Sequence, residues 1–161
     1  MKQKKTASRD SKHARPSASV AIYPGPLANS FGFALRMASN AATQRFHQVM
    51  RPFHIRPAQF STLILIHANP GVRQRDICEA LRIEKANFVG LLDTLERRKL
   101  VDRRADPNDR RRYAIHLTKE GEALLRKAVR AHDRMEAGLE ELLPARGRKE
   151  FLANLARIRL E

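Results

Sequence analysis

The stretch Val101–Thr118, VDRRADPNDRRRYAIHLT, constrains this chain more than any other. Two short runs suited to strands, Val101–Ala105 and Tyr113–Leu117, flank Asp106-Pro107-Asn108-Asp109-Arg110-Arg111-Arg112. Pro, Asn and Asp in that order favour a turn, and three successive guanidiniums follow it. The spacing predicts a β-hairpin with a cationic tip.

The residues before the hairpin give it a context. Pro57 suits a first helical turn. Phe60, Leu63, Ile64 and His67 form a stripe that Asn69-Pro70-Gly71 ends. Two helical segments follow, Arg73–Leu81 and Glu84–Lys99, separated by about two residues. The first is expected to bury Ile77, Ala80 and Leu81, and the second Val89, Leu92 and Leu95. Short helix, tight turn and longer helix make a helix-turn-helix, and the hairpin takes the place of its wing. Upstream, apolar residues from Leu27 to Phe53 recur every three or four positions and predict one long helix. Downstream, Thr118 caps a long helix through Leu142, and a last helix spans Arg148–Leu160. The fold class expected is mostly α, a winged helix-turn-helix with a two-stranded β wing and a helical dimerisation region. The division expected is a disordered basic tail over 1–22, an N-terminal dimerisation helix over 23–56, the winged helix-turn-helix over 57–118, and C-terminal dimerisation helices over 119–161.

Charge supports a polyanionic partner. The formal net charge is +15 over 161 residues. Arg97–Arg112 holds eight basic residues against three acidic ones, and the first 15 residues hold six against one. A basic chain can meet nucleic acid, an anionic membrane or acidic partners. Double-stranded DNA is favoured because one basic cluster lies on an ordered reading device. Residues 1–22 are too polar to offset their ordering entropy; they serve as a solubilising tail or as an arm adding phosphate contacts. The single cysteine, Cys78, excludes an intramolecular disulfide framework. No apolar run reaches spanning length and no signal-peptide core is present, so no membrane role is expected and the expected location is cytoplasmic. No metal, cofactor or catalytic residue is expected: the sequence shows no metal-ligand spacing, nucleophile elbow or phosphate-cradling glycine loop.

Each reading element has its own chemistry. The start of the second helix, Lys85, Ala86, Asn87 and Phe88, faces base edges in such devices. Asn87 can pair bidentately with adenine and Lys85 can donate to guanine or phosphate. Phe88 reads equally as a thymine-methyl contact or as a packing residue. Arg73 and Gln74 open the preceding helix, where a helix N-terminus favours phosphate. In the wing, Arg111 is the candidate for minor-groove insertion, Asp109 braces the loop, and Arg110 and Arg112 clamp phosphate or pair with Asp109. Arg97, Arg98, Arg103 and Arg104 are candidates for flanking phosphate contacts.

The run LLDTLERRKLVDRRADPNDRRRYAIHLTKEGEALL resembles the MarR family of winged-helix transcription regulators. The likeness extends from about Leu27 to the C-terminus. It rests on Leu91-Leu92-Asp93 with Leu95-Glu96, on Asp106-Pro107-Asn108-Asp109-Arg110-Arg111, and on Leu117-Thr118 with Gly121. The resemblance implies an obligate homodimer, a pseudo-palindromic operator and release by a small, often phenolic, effector. It places the effector between the dimer helices and the reading head. There Arg36, Asn40, His47 and His67 are candidate ligand contacts, with Phe33, Met37, Phe46 and Phe60 as walls. An aromatic acid or an aryl-CoA thioester is the expected effector class. Two positions depart from the family pattern: Gly90 stands where a basic residue is common, and Lys99 stands where glycine is common, which predicts strain or a different turn. The competing readings are a non-specific architectural DNA-binding protein and a redox-responsive repressor acting through Cys78, whose place beside Ile77 suits a small hydrophobe better.

Overall fold

The computed structural model describes residues 22, 24–106, 109–143 and 147–160, with side chains omitted at 106, 109–112 and 159–160. The expected tail over 1–22 lies outside the described residues save Ile22. Two 3₁₀ turns, Gly25–Asn29 and Arg51–Phe53, flank helix α1, Phe31–Met50. Then come α2 (Pro57–Ala68), β1 (Val72–Arg73), α3 (Gln74–Leu81), α4 (Lys85–Arg97), β2 (Val101–Asp106), β3 (Asp109–Leu117), α5 (Lys119–Glu140) and α6 (Gly147–Leu160). This is the winged helix-turn-helix expected, with a mostly helical chain around it.

Local chemistry sets the boundaries. The first helix begins at Phe31 rather than Leu27, because Ser30 caps it by accepting from Phe33 N at 3.4 Å. Thr118 caps α5, accepting from Gly121 N at 2.9 Å while its hydroxyl donates to Lys99 O at 2.6 Å. Pro57 occupies the first turn of α2, where its missing N–H costs nothing. The wing strands pair antiparallel from Val101↔Leu117 to Ala105↔Tyr113. The two-residue β1 adds a third strand that sequence reasoning missed, pairing Val72 with Ile115 and giving the order β1-β3-β2.

One core joins the head to the flanking helices. Phe46 and Met50 of α1 meet Phe60, Leu63 and Ile66 of α2, Ile77 of α3, Phe88, Leu92 and Leu95 of α4, Ile115 of β3, and Leu125 and Ala128 of α5. Two expected core residues are not in it. Ala80 is exposed because Ile77 and Leu81 set the inner face of α3. Val89 is 39% exposed, whereas its neighbour Phe88 is 0% exposed. The inner stripe of α4 is therefore 88/92/95, at the i, i+4, i+7 spacing. Phe31, Met37, Phe151, Leu152 and Ile158, from α1 and α6, are exposed in the single chain.

The departure at Lys99 has a structural consequence. Helix α4 ends with Leu100 N donating to Leu95 O at 3.0 Å and Lys99 N to Glu96 O at 2.8 Å. That is a Schellman closure, and it puts Lys99 at φ 55, where glycine is usual. A Cβ there costs on the order of 1 kcal/mol. Lys99→Gly is expected to raise stability by up to about 1 kcal/mol, net of the entropy glycine adds to the unfolded chain. Thermal melting of the two proteins checks this; a lower Tm for the glycine variant contradicts it.

Candidate nucleic-acid interface

Helix α4 presents its first turn outward. Lys85, Ala86 and Asn87 are all exposed, and Gly90 has no heavy atom within 4 Å of where a Cβ would stand. Phe88 does not join them. Its full burial removes it from the reading set, and the expected base contact at that position is corrected to a core anchor. Val89, assigned to the core by sequence, is the apolar side chain on the open face. The i+4 and i+7 partners Leu92 and Leu95 were the signal that separates the two adjacent residues.

The arginines divide by what holds them. Arg103 of β2 forms an ion pair with Asp93 and lies 3.5 Å from Glu96 Oε2, both on α4. Its charge is met within the chain, so it fixes the wing root against the reading helix instead of standing free as a phosphate contact. Arg98 is also occupied, donating to His54 O at 2.6 Å and Phe53 O at 2.8 Å. It closes the turn that leads into α2. Arg104 pairs with Asp102 on the same strand at 3.0 Å but stays largely exposed. Arg97 is exposed and donates to Thr94 Oγ1 at 3.3 Å. Arg73 is exposed where β1 meets α3, while Gln74, half-buried, borders a cleft with Arg103 and Tyr113. The backbone of Asp109–Arg112 belongs to β3, and the side chains of Asp109, Arg110, Arg111 and Arg112 lie outside the described residues.

The expected effector residues are not gathered into one site within the single chain. Arg36, Asn40 and His47 are exposed along α1. His47 borders a shallow cleft with Arg51, His54 and Arg56. His67, at the end of α2, is held by Glu122 of α5, with Nδ1 3.1 Å from Oε1. Sequence reasoning missed His132 of α5, whose ring lies 4.8 Å from that of Phe60 and 6.2 Å from that of Phe46. Its Nε2 is 3.7 Å from Glu136 Oε1. An isolated histidine in a run of charged residues gives no sign of this; only the packing of α5 on α2 reveals it.

Cys78 is half-buried, and burial pushes its thiol above the ordinary range, against a lowering by the Lys85 charge. A raised thiol is a weak nucleophile at neutral pH. No cluster of metal-ligating side chains occurs among the described residues, and no described helix is long and apolar enough to cross a membrane.

Known proteins share this architecture. The MarR family model matches residues 55–112. The transcriptional regulator FarR of Neisseria gonorrhoeae is 30% identical over 135 residues, covering 80% of this chain and 90% of its own. A solved structure of the repressor CouR bound to a 23-mer DNA duplex superposes with a TM-score of 0.81 at 39% identity, over 86% of this chain and 98% of that one. CouR bound to p-coumaroyl-CoA superposes at 0.79 and 37% identity, over 87% of this chain and 99% of that one. With a reading helix, a wing braced on it and likeness running nearly end to end, the chain belongs to the MarR family of DNA-binding transcriptional regulators.

Proposed function

We propose that this chain is a dimeric repressor that leaves a pseudo-palindromic operator when a small aromatic acid or its CoA thioester binds. The observation that carries the DNA half is the open first turn of α4 beside a wing held in place by Arg103. Lys85, Asn87 and, in place of Phe88, Val89 read base edges; an apolar side chain suits a thymine methyl. Arg73, Gln74, Arg97 and Arg104 hold phosphates, and Arg111 enters the minor groove between Arg110 and Arg112. The exposed apolar residues of α1 and α6 meet the same faces of a second copy, so that 23–56 and 119–161 form the dimer region and 57–118 the head.

Two such heads read successive major grooves when they stand roughly 34–36 Å apart. An effector releases DNA only by favouring a spacing that does not fit. CouR, similar over most of this chain, was solved in one structure bound to a DNA duplex and in another bound to p-coumaroyl-CoA. That pairing supports the CoA thioester as effector class, with Arg36, Asn40, His47 and His67 as its candidate contacts.

Two substitutions test the reading roles separately. Asn87→Ala is expected to relax preference at one base of each half-site, by about 1–3 kcal/mol of discrimination, in a selection from random duplexes. Arg111→Ala is expected to weaken binding to all sequences and flatten the salt dependence. An unaltered selection profile removes Asn87 from the reading set, and unchanged affinity across a salt series removes Arg111. A thermal-shift series with aromatic acids and their CoA esters tests the effector, since a ligand of the native state raises Tm. No shift with either class contradicts the assignment.

A further inference from the structure

The C-terminal end of α4 is fastened on two sides. On one, the Arg98 guanidinium reaches back to the corner between α1 and α2, donating to His54 O at 2.6 Å and to Phe53 O at 2.8 Å. On the other, Lys99 O accepts from Thr118 Oγ1 at 2.6 Å and Leu100 O accepts from Thr118 N at 3.1 Å. Thr118 is the N-cap of α5, and the 3₁₀ turn Arg51–Phe53 follows α1 without a break. The three residues after α4, Arg98, Lys99 and Leu100, therefore tie it to both of the long helices assigned to the dimer region.

The corner is shaped for the Arg98 contact. His54 sits at φ 51 and ψ 45, in the left-handed region where a Cβ is strained. Helical torsions of either hand turn consecutive carbonyls to the same side, so Phe53 O and His54 O face one guanidinium together. The planar fork of an arginine serves two such acceptors in a fixed geometry, which an ammonium on a flexible stem does not. The apolar contacts of Phe88, Leu92 and Leu95 with the core are non-directional; the polar ties at the end of α4 are what carry an angle. Length then gives leverage. The reading turn, Lys85–Asn87, lies at the opposite end of a 13-residue helix, about 20 Å from the ties. A tilt of about 3° at that end moves the reading turn by about 1 Å.

We propose that Arg98 is a positioning residue, a strut that transmits the geometry of the dimer helices to α4 and so sets the separation of the two reading helices on DNA. The inference rests on the paired-head reading of the operator, and adds to it the side chain that carries the setting. Arg98 gives its N–H groups to carbonyls of its own chain. Its loss therefore acts on half-site spacing and leaves the choice of bases, made at the far end of α4, as it was.

Spacing discrimination tests the strut. It is the affinity for the selected duplex divided by that for the same duplex with one base pair inserted at its centre, which separates the half-sites by about 3.4 Å and turns them by about 35°. The unsubstituted chain is expected to show a ratio of about tenfold or more. Arg98→Leu is expected to bring the ratio below about threefold, with the bases selected at each half-site unchanged. Arg98→Lys keeps the charge without the fork and is expected to fall between the two. His54→Gly keeps both carbonyls and takes positive φ freely, and is expected to keep the full ratio. An unchanged ratio in Arg98→Leu overturns the strut. So does an equal loss of affinity for both duplexes, which reduces Arg98 to general support of the fold. If Arg98→Leu does not fold, Arg98→Lys decides alone: a lowered ratio supports the strut and an unchanged one overturns it. A ratio near one in the unsubstituted chain overturns the paired heads themselves, and the strut with them.

Discussion

Replacing Phe88 with alanine is expected to unfold the reading head rather than change the base it prefers. Phe88 is fully buried on the inner stripe of α4 with Leu92 and Leu95. Truncating a buried phenyl ring removes its transfer energy and leaves a cavity, at a cost of about 3–5 kcal/mol. That is a large share of the 5–15 kcal/mol typical of a domain. One position earlier, Asn87→Ala removes an exposed side chain and is expected to change stability by less than about 0.5 kcal/mol. Urea unfolding of both variants, alongside duplex selection, separates the roles. A stable Phe88→Ala protein with altered thymine preference would restore Phe88 to the reading face and remove Val89 from it.

Gly121→Ala is expected to be at least as damaging, in a place where helix propensity alone points the other way. Alanine in a helix normally gains about 1 kcal/mol over glycine. Here the first turn of α5 lies flat against the root of the wing. A Cβ on Gly121 would stand 2.9 Å from the Leu100 carbonyl carbon and closer still to its oxygen. That carbonyl cannot swing away freely, because it accepts from Thr118 N at 3.1 Å. Either α5 or the root of β2 must move, and because the obstacle is hydrogen-bonded backbone the cost falls at the top of the usual overpacking range, about 3 kcal/mol. Because the wing grows from Leu100, the variant is also expected to lose DNA affinity. Gly138→Ala, further along the same helix with open space around it, is the matched control and is expected to be neutral or stabilising. Equal melting temperatures for the two variants would mean that the Leu100 carbonyl is not a fixed wall.

These two glycines show where sequence reasoning works and where it stops. Periodicity places the helices, Pro57 and Thr118 mark two of their starts, and the Asp-Pro-Asn-Asp turn with its arginines places the wing. Those signals are local, spanning one or two turns of chain. The face of α4 is less legible because Phe88, Val89, Leu91 and Leu92 are all apolar, so two stripes fit and packing against the other helices selects one. Strand β1 is two residues long and carries no pattern; it exists because β3 has a free edge at Ala114 and Ile115. The arginines are hardest. Arg97, Arg98, Arg103 and Arg104 look alike along the chain, yet Arg98 is spent on carbonyls 44 and 45 residues away and Arg103 on carboxylates of the preceding helix, Asp93 and Glu96. Whether a guanidinium faces DNA or braces the protein depends on neighbours that only the folded geometry brings together and that composition does not record. The same holds for His132, whose ring is placed against Phe60 and Phe46 only by the packing of α5.

Hydroxyl-radical footprinting of the purified protein on its selected duplex, with stoichiometry from sedimentation, tests the central claim most directly. Paired heads should give two protected patches about one helical turn, roughly 10–10.5 base pairs, apart, with two chains per duplex whatever the length of the flanks. Continuous protection, with chains added in proportion to duplex length, would mean that the protein coats DNA without choosing a site.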